Sequence, residues 1–172
     1  MGRDDQGVGA SRERYQVVPR TLCFVRHEDA VLLLKGAPHK RIWANRHNGL
    51  GGHVERGEDL FNATLREVRE EAGLEVQDLR LAAIVHADGG DPRLGILFFV
   101  FTAWSATTDV VASAEGSLEW HKVDALPVDT MAPDLPIILP RIFALPPGAP
   151  PLFLAYCYDD QDRLIIRFAD DA

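Results

Sequence analysis

The residues best suited to chemistry lie in one segment, GHVERGEDLFNATLREVREEAGL, which runs from position 52 to position 74. Three of its glutamates, Glu67, Glu70 and Glu71, crowd one or two turns of a single face if the segment is helical. Like charges at this spacing repel each other. A hard divalent cation such as Mg2+ or Mn2+ would remove the repulsion, because such cations prefer oxygen ligands. Taken alone, such an acidic run is most often the solvated face of a surface helix, and a divalent-metal site is the alternative.

A helix must position these glutamates. Its predicted span is from about Asp59 to Ala72, with Gly73 in the left-handed conformation that ends it. The apolar stripe that should pack on the core consists of Phe61, Leu65, Val68 and Ala72. The three glutamates are expected close to the opposite side of the helix.

The segment also fits a known pattern, G-x5-E-x7-R-E-U-x-E-E-x-G-U, where U is a bulky apolar residue. The constrained polar and glycine positions are Gly52, Glu58, Arg66, Glu67, Glu70, Glu71 and Gly73. The pattern resembles the Nudix box, the signature of enzymes that hydrolyse a nucleoside diphosphate linked to another group, and no position departs from it. The resemblance covers roughly residues 17–145 and implies an α/β/α sandwich with a mixed β-sheet.

The resemblance implies roles for residues of the box. Glu67, Glu70 and Glu71 would hold Mg2+ or Mn2+, with the Gly52 carbonyl as a further ligand. Arg66 would orient the glutamates, and Glu58 would help through water or structure. The bound metal would neutralise developing charge and lower the pKa of a water that attacks phosphorus.

A fifth acid outside the box often takes part in this family. Glu115, five residues before Trp120, matches that position, and a plain loop glutamate is the alternative. Glu119 competes with it, but its side of the predicted strand is uncertain because neighbouring strand residues point to opposite faces.

Two residues are candidates for reading a base. The Asn48 amide can both donate and accept hydrogen bonds, which suits a purine edge, although an Asn-Gly pair also forms turns. Residues 131–134, Met-Ala-Pro-Asp, resemble a Met-Trp-Pro-Asp run in MutT-like diphosphatases that cleanse oxidised purine nucleotides. There the ring stacks on the base and the aspartate recognises it, so Asp134 is a candidate here. Ala132 removes the ring, unless Trp43 or Phe24 replaces it.

Basic residues near the box are candidates for phosphate contacts. They are Lys35, Lys40 and Arg46, and for each one a solvated loop charge is an equal alternative. The leading hypothesis is hydrolysis of an oxidised purine nucleoside triphosphate to the monophosphate and pyrophosphate. A broad hydrolase of nucleoside triphosphates, ADP-ribose or nucleotide sugars is the runner-up, although Pro92 lies slightly too far from the box for an ADP-ribose enzyme. A Nudix fold that only senses a nucleotide is the alternative from another class.

Composition narrows the functional class. A chain of 172 residues, 47% of them hydrophobic, suits one core, and a net charge of −8 argues against binding long nucleic acid through its phosphates. Only Cys23 and Cys157 are present, without a CxxC pair, so neither a zinc site nor a disulfide framework is suggested. No apolar run has the length of a membrane span, so a cytoplasmic protein with a nucleotide substrate is expected.

The order of predicted elements indicates an α+β fold. Strand-like runs are predicted at 17–25, 31–35, 79–87, 96–104 and 118–123, and a second helix at 135–145. We expect a flexible tail over residues 1–16, a Nudix domain over 17–145, and a Pro-rich linker with a β-hairpin over 146–172. The strand edges of that hairpin could pair with a second copy of the chain, so a homodimer is an open alternative.

Overall fold

The computed structural model describes residues 14–40, 42–111 and 114–171. The predicted tail over 1–16 lies mostly outside the described residues. The secondary structure consists of β1 (Gln16–His27), β2 (Ala30–Gly36), β3 (His47–Asn48), α1 (Leu60–Ala72), β4 (Val76–Asp91), β5 (Leu94–Ser105), β6 (Gly116–Lys122), α2 (Leu135–Phe143), β7 (Leu152–Tyr158) and β8 (Leu164–Phe168). Among the described residues, no helix is long and apolar enough to cross a membrane.

All eight strands belong to one mixed sheet with the order β3-β2-β1-β5-β4-β7-β8, and β6 pairs with β2. The long β1 runs parallel to β5 along its whole length. It meets β2 only beside the turn, at Arg26↔Val31 and His27↔Ala30. Beyond those pairs the strands diverge, and β2 continues antiparallel to β6 instead. The strands predicted at 17–25 and 31–35 therefore meet at a hairpin turn, and beyond it they separate to leave room for the segment that enters α1.

Helices cover both faces of the sheet. Because successive strand residues point to opposite faces, Leu32 and Leu34 pack toward α1 while Val31 and Leu33 pack toward α2. The two resulting apolar clusters are the core. The predicted α+β architecture with a mixed sheet between helices is confirmed.

Helix α1 has the predicted ends but not the predicted core face. The Asp59 side chain accepts a hydrogen bond from the Asn62 backbone N–H at 2.9 Å, and Gly73 ends the helix at φ 68°. The prediction that Phe61 packs on the core is wrong, since Phe61 is 50% exposed. Its neighbour Leu60 packs on the core instead, which rotates the helix by about one residue.

The same rotation corrects the prediction that all three glutamates lie away from the core. The buried residues of α1 are Ala63, Thr64, Val68, Glu71 and Ala72. Glu71 is turned inward because its carboxylate binds the Gly51 backbone N–H at 2.8 Å. A polar contact, and not the apolar period alone, sets the rotation of this helix.

The C-terminal hairpin is continuous with the main sheet. β7 pairs in parallel with β4 from Ala83↔Leu152 to Ala87↔Tyr156, and β8 pairs antiparallel with β7. Helix α2 precedes this hairpin and tolerates Pro136 because a proline in the first turn sacrifices no intrahelical hydrogen bond. The chain after α2 thus returns alongside β4, which places the side chains of β7 next to those of the central strands.

Candidate active site

A cleft of about 1120 Å³ lies where β1 and β2 diverge. Its lining includes residues of β1, β2, β4, β5 and β7, the α1 glutamates and the segment between β3 and α1. One end carries the carboxylates of Glu67, Glu70, Glu71 and Glu115, and we call it the carboxylate end. Asp134, at the start of α2, and Tyr156, in the apolar cluster that contains α2, line the cleft toward the other helix, and together with Asn48 we call them the base end.

Arg66 holds the carboxylate end together. Its Nη1 donates to Glu67 Oε1 at 2.9 Å and to Glu70 Oε2 at 3.1 Å. Its Nε and Nη2 donate to the two oxygens of Glu58 at 3.0 Å. These contacts raise the pKa of Arg66 further above its ordinary value, with the hydrogen bond to Glu58 as the largest cause. Arg66 therefore fixes the direction of two box glutamates through charge-assisted hydrogen bonds.

Glu71 is the most deeply placed of the three helix glutamates, at 7% exposure. Burial raises the pKa of Glu71 to about 7, and the nearby charges of Glu67 and Glu115 act in the same direction. The Gly51 backbone N–H opposes the shift by donating to the carboxylate. An ionised Glu71 is thus costly at this position unless positive charge approaches it.

Gly52 lets the Glu67 carboxylate lie directly against the backbone. A Cβ at position 52 would stand only 2.5 Å from Glu67 Oε1, so any larger residue must displace that carboxylate. The Gly52 carbonyl accepts a hydrogen bond from the Thr21 backbone N–H at 2.9 Å. A carbonyl oxygen has two lone pairs, so one is left for a further partner.

The donors of the carboxylate end are all oxygens, which fits a hard divalent cation such as Mg2+ or Mn2+. Burial is the main cause of the raised pKa of Glu71, and the charges of Glu67 and Glu115 raise it further, so the neighbouring carboxylates repel one another here. The oxygens are not gathered around one point. Among the described residues, the group of three ligand atoms that all lie within 4.8 Å of one another is His47, Glu119 and His121.

Glu115 and Glu119 lie on different sides of the protein. Glu115 lines the cleft and forms an ion pair with Lys40. Glu119 points from β6 to the other face of the sheet, where His47 Nε2 lies 3.0 Å from its Oε2. Of the two competing acids, Glu115 therefore stands beside the helix glutamates.

At the base end, Asp134 faces the cleft. Tyr156 Oη donates to Asp134 Oδ2 at 3.0 Å, and the Asp134 side chain makes no capping hydrogen bond to α2. Burial raises the pKa of Asp134 above its ordinary value. Asn48 also lines the cleft, while its Oδ1 accepts from the Gly49 backbone N–H at 2.8 Å. Asn48 therefore faces the cleft from strand β3, and the turn that was its alternative interpretation is not formed at Asn48-Gly49.

The remaining residues that were predicted to contact the substrate differ in whether they line the cleft. Trp43 lines the cleft and is 44% exposed, whereas Phe24 is fully buried and cannot stack on a ligand. Arg46 lines the cleft, but its Nη1 donates to the carbonyls of Asp129 and Met131. Lys35 lies outside the cleft lining and borders a smaller cavity of about 430 Å³.

Several cleft residues were not foreseen from the sequence. Arg20 Nη2 lies 3.0 Å from His53 Nε2, and both residues line the cleft. His53 lies inside the box segment, so its position in the motif could have identified it as a cleft residue. The unforeseen aromatic residues of the lining are Phe98, Tyr156 and Tyr158. Nothing in the sequence marked the two tyrosines, because their position depends on the pairing of β7 with β4.

Comparison with known proteins agrees with this geometry. The NUDIX domain model matches residues 17–142. Proteins called NAD-capped RNA hydrolase NudC from Salmonella schwarzengrund and Klebsiella pneumoniae are 36% identical over 121 residues, which is 68% of this chain and 44% of each relative. The chain thus spans less than half the length of these curated relatives.

Solved structures extend the comparison to the fold. The crystal structure of a MutT protein from Bacillus halodurans superposes with a TM-score of 0.70 at 25% identity, covering 90% of this chain and 99% of that one. A MutT protein from Methanosarcina mazei gives a TM-score of 0.63 at 23% identity, covering 77% of this chain and 96% of its own. With a family match over most of its length and this fold, the chain belongs to the Nudix hydrolase family.

Proposed function

We propose that this protein is a divalent-metal-dependent pyrophosphohydrolase that cleaves the P–O–P bridge of a nucleotide held along the cleft. The observation that carries the proposal is the placement of Glu67, Glu70, Glu71 and Glu115 at one end of a cleft whose other end presents Asn48 and Asp134. A nucleotide has the same polarity, with anionic phosphates at one end and a hydrogen-bonding base at the other.

The residues of the carboxylate end have separate tasks in this proposal. Glu67, Glu70, Glu71 and Glu115, with the Gly52 carbonyl, would bind Mg2+ or Mn2+. When bound, the cation neutralises phosphate charge and acidifies a water molecule. Arg66 keeps Glu67 and Glu70 aimed at the cleft through its Nη1. Lys40, Arg46 and Arg20 line the cleft and would contact the phosphate oxygens.

For the substrate, we propose first an oxidised purine nucleoside triphosphate, which would be split into the monophosphate and pyrophosphate. Burial favours the neutral form of the Asp134 carboxyl, and a neutral carboxyl can donate as well as accept. Asp134 and Asn48 together could therefore meet both a donor and an acceptor on a purine edge. Trp43, exposed at the cleft, would supply the stacking ring that Ala132 does not.

The second candidate is a dinucleotide or a nucleotide sugar, with NAD and the capped end of RNA among the compounds to test. It is supported by the 36% identity to proteins named for hydrolysing NAD-capped RNA. The cleft volume of about 1120 Å³ exceeds what a single nucleotide requires. The net charge of −8 argues against extended contacts with the RNA chain beyond its capped end. Hydrolysis of ADP-ribose, or of nucleoside triphosphates in general, is grouped with this second candidate.

A non-catalytic role as a nucleotide sensor is the remaining alternative. All the box glutamates are present, and Glu67, Glu70 and Glu71 line the cleft, which favours catalysis over sensing. Cytoplasmic location and a homodimer formed through the hairpin stay predictions.

One experiment tests the proposal and ranks its candidates. Normal and oxidised purine triphosphates, ADP-ribose, NAD, a nucleotide sugar and a dinucleoside polyphosphate would be assayed with Mg2+ and with Mn2+, and the phosphate products identified. Release of pyrophosphate from an oxidised purine triphosphate supports the first candidate, and preferential cleavage of NAD supports the second.

Turnover of no substrate with either metal, together with nucleotide binding measured by calorimetry, would favour the sensor. Asn48→Ala and Asp134→Ala should change the ranking of substrates more than the rate on a minimal one. An unchanged ranking would contradict the assignment of the base end.

A further inference from the structure

A second polar cluster lies outside the cleft, on the face of the sheet that carries α2. It consists of His47 from β3 with Glu119 and His121 from β6, and we call it the His-Glu cluster. His47 Nε2 is 3.0 Å and His121 Nε2 is 3.3 Å from the same oxygen, Glu119 Oε2. The His47 side chain is 4% exposed and that of His121 is 21% exposed. Two imidazole nitrogens thus converge on one carboxylate oxygen at a largely buried place.

The hydrogen bonds around His47 determine which nitrogen carries its proton. Thr130 Oγ1 donates its single proton to the Pro127 carbonyl at 3.1 Å. The same Oγ1 lies 2.9 Å from His47 Nδ1, where the tautomer of the ring sets which atom donates. His47 Nε2 lies 3.0 Å from Glu119 Oε2, and because an ionised carboxylate only accepts, the hydrogen bond there is donated by Nε2–H. A cation bound at Nε2 would take the place of that proton.

His121 supplies the ring nitrogen of the cluster that has no hydrogen bond in the described part of the chain. Its Nε2 is buried and has no hydrogen-bond partner among the described residues, although Glu119 Oε2 lies within ion-pair distance. A single proton between these three atoms would satisfy one nitrogen and leave the other facing an anion. A cation between them would satisfy both nitrogens and the carboxylate oxygen together.

We propose that His47, Glu119 and His121 bind a zinc-class transition-metal ion, with water as the fourth ligand. Two imidazoles and one carboxylate form a borderline donor set that suits Zn2+ and not Mg2+. Tetrahedral zinc with bonds of about 2.0–2.2 Å separates its ligand atoms by about 3.3–3.5 Å. The separations of 3.0 and 3.3 Å are close to that geometry. With the ion bound at Nε2, His47 would donate a hydrogen bond from its Nδ1–H to Thr130 Oγ1, as metal-bound histidines do to their outer partners.

The fold indicates that such an ion would have a structural role. His47 belongs to a strand of two residues, and its neighbour Asn48 points to the opposite face and lines the cleft. The ion would join β3 to β6, and Thr130 would connect it to the turn that precedes Asp134. Metal at the His-Glu cluster would therefore stabilise both segments of the base end without entering the cleft.

The test uses the purified full chain, stripped with a chelator and then kept in excess Mg2+ so that the oxygen donors of the carboxylate end are occupied. Zn2+ binding is measured by calorimetry, and Co2+ binding by the visible absorption of tetrahedral cobalt. We expect one ion per chain, an intense cobalt spectrum and a rise in Tm with Zn2+.

Matched variants locate the ion. His121→Ala and Glu119→Gln should each weaken Zn2+ binding by at least about tenfold and remove the rise in Tm. His39→Ala, which removes an exposed histidine elsewhere, should bind like the unaltered protein, and so should a Glu67→Gln, Glu70→Gln double variant.

Circular dichroism of each variant checks folding, and Glu119→Gln keeps the site testable if His121→Ala fails to fold. Three results would overturn the proposal: no Zn2+ binding in excess Mg2+, binding unchanged in Glu119→Gln, or binding lost in the double glutamate variant. The first would assign the cluster to the hydrogen bond from His47 Nε2 to Glu119 Oε2.

Discussion

The two ends of the cleft are built in different ways. The carboxylate end comes almost entirely from residues 51–71, in which one helix and the turn before it carry the glutamates, Arg66 and the two glycines. The base end is assembled from β3, the start of α2 and β7, which are distant in the chain. A site contained in one short segment keeps its internal spacing wherever the segment packs. A site assembled from separate strands depends on their register.

The largest effect is expected at the carboxylate end. Glu70→Gln or Glu71→Gln should lower Mg2+-dependent turnover by about 10²–10⁴-fold, because each removes a charged oxygen donor while keeping side-chain volume. A glutamine at position 71 still offers an oxygen to the Gly51 N–H, so the fold should persist. Steady-state kinetics on the best substrate gives the measurement.

The control for these variants is Glu75→Gln, which alters an exposed glutamate paired with Arg69 just beyond the same helix. It should leave turnover unchanged. Full activity in a folded Glu70→Gln or Glu71→Gln protein would contradict the expectation that turnover depends most strongly on the carboxylate end.

Gly52→Ala should lower turnover by about 10²-fold, because the new Cβ displaces the Glu67 carboxylate and small misplacements of catalytic groups have effects of this size. Gly57→Ala is the comparison, since a Cβ there meets open space but is strained at φ 85°. It should lower Tm more than activity. Equal activity losses in the two variants would mean that Gly52 acts through stability alone.

Trp43→Ala tests the base end. Loss of a stacking ring is worth about 1–3 kcal/mol, so KM should rise by about 5- to 150-fold with little change in kcat. Trp104→Ala removes a tryptophan of similar exposure that packs under Arg26 outside the cleft lining. That variant should keep its KM. A rise in KM in both variants would argue against stacking on Trp43.

The smallest effect is expected in the pH dependence of the free energy of unfolding, and it comes from Asp134. Burial raises the pKa of Asp134 in the folded protein above its ordinary value of 3.8, so the folded state holds this proton more tightly. Between 3.8 and the raised pKa, the free energy of unfolding should fall as pH rises. Asp134→Asn has no such proton, so the difference between the two proteins should change across this pH window and level off above it.

Chemical denaturation of both proteins at several pH values measures this difference. A constant difference across the window would show that Asp134 is not buried in a way that affects its charge.

The difference between the two ends also explains what could be predicted. The span of α1 and the left-handed Gly73 follow from local residue preferences, and the structure confirms them. The rotation of α1 was not predictable, because Leu60 and Phe61 are equally apolar and the contact between Glu71 and Gly51 decides between them.

The pairing of the strands was the part of the fold that the sequence could not predict. The strand runs were identified from composition, but β1 pairs with β5 in parallel and β7 with β4, and no local pattern states either pairing. Tyr156 therefore could not be placed beside Asp134 in advance. The His-Glu cluster depends in the same way on the approach of β3 and β6 to a shared neighbour, β2.

One feature of the base end limits how this protein can change over evolution. Val85, Val100 and Ile138 line the cleft and are also core residues with about 1% exposure. Reshaping the floor of the cleft to admit a new leaving group would open cavities in the core, with losses of about 0.5–5 kcal/mol for each shortened side chain. Drift toward new substrates should therefore accumulate at the rim, at positions such as Trp43 and Tyr158, while the floor stays nearly constant.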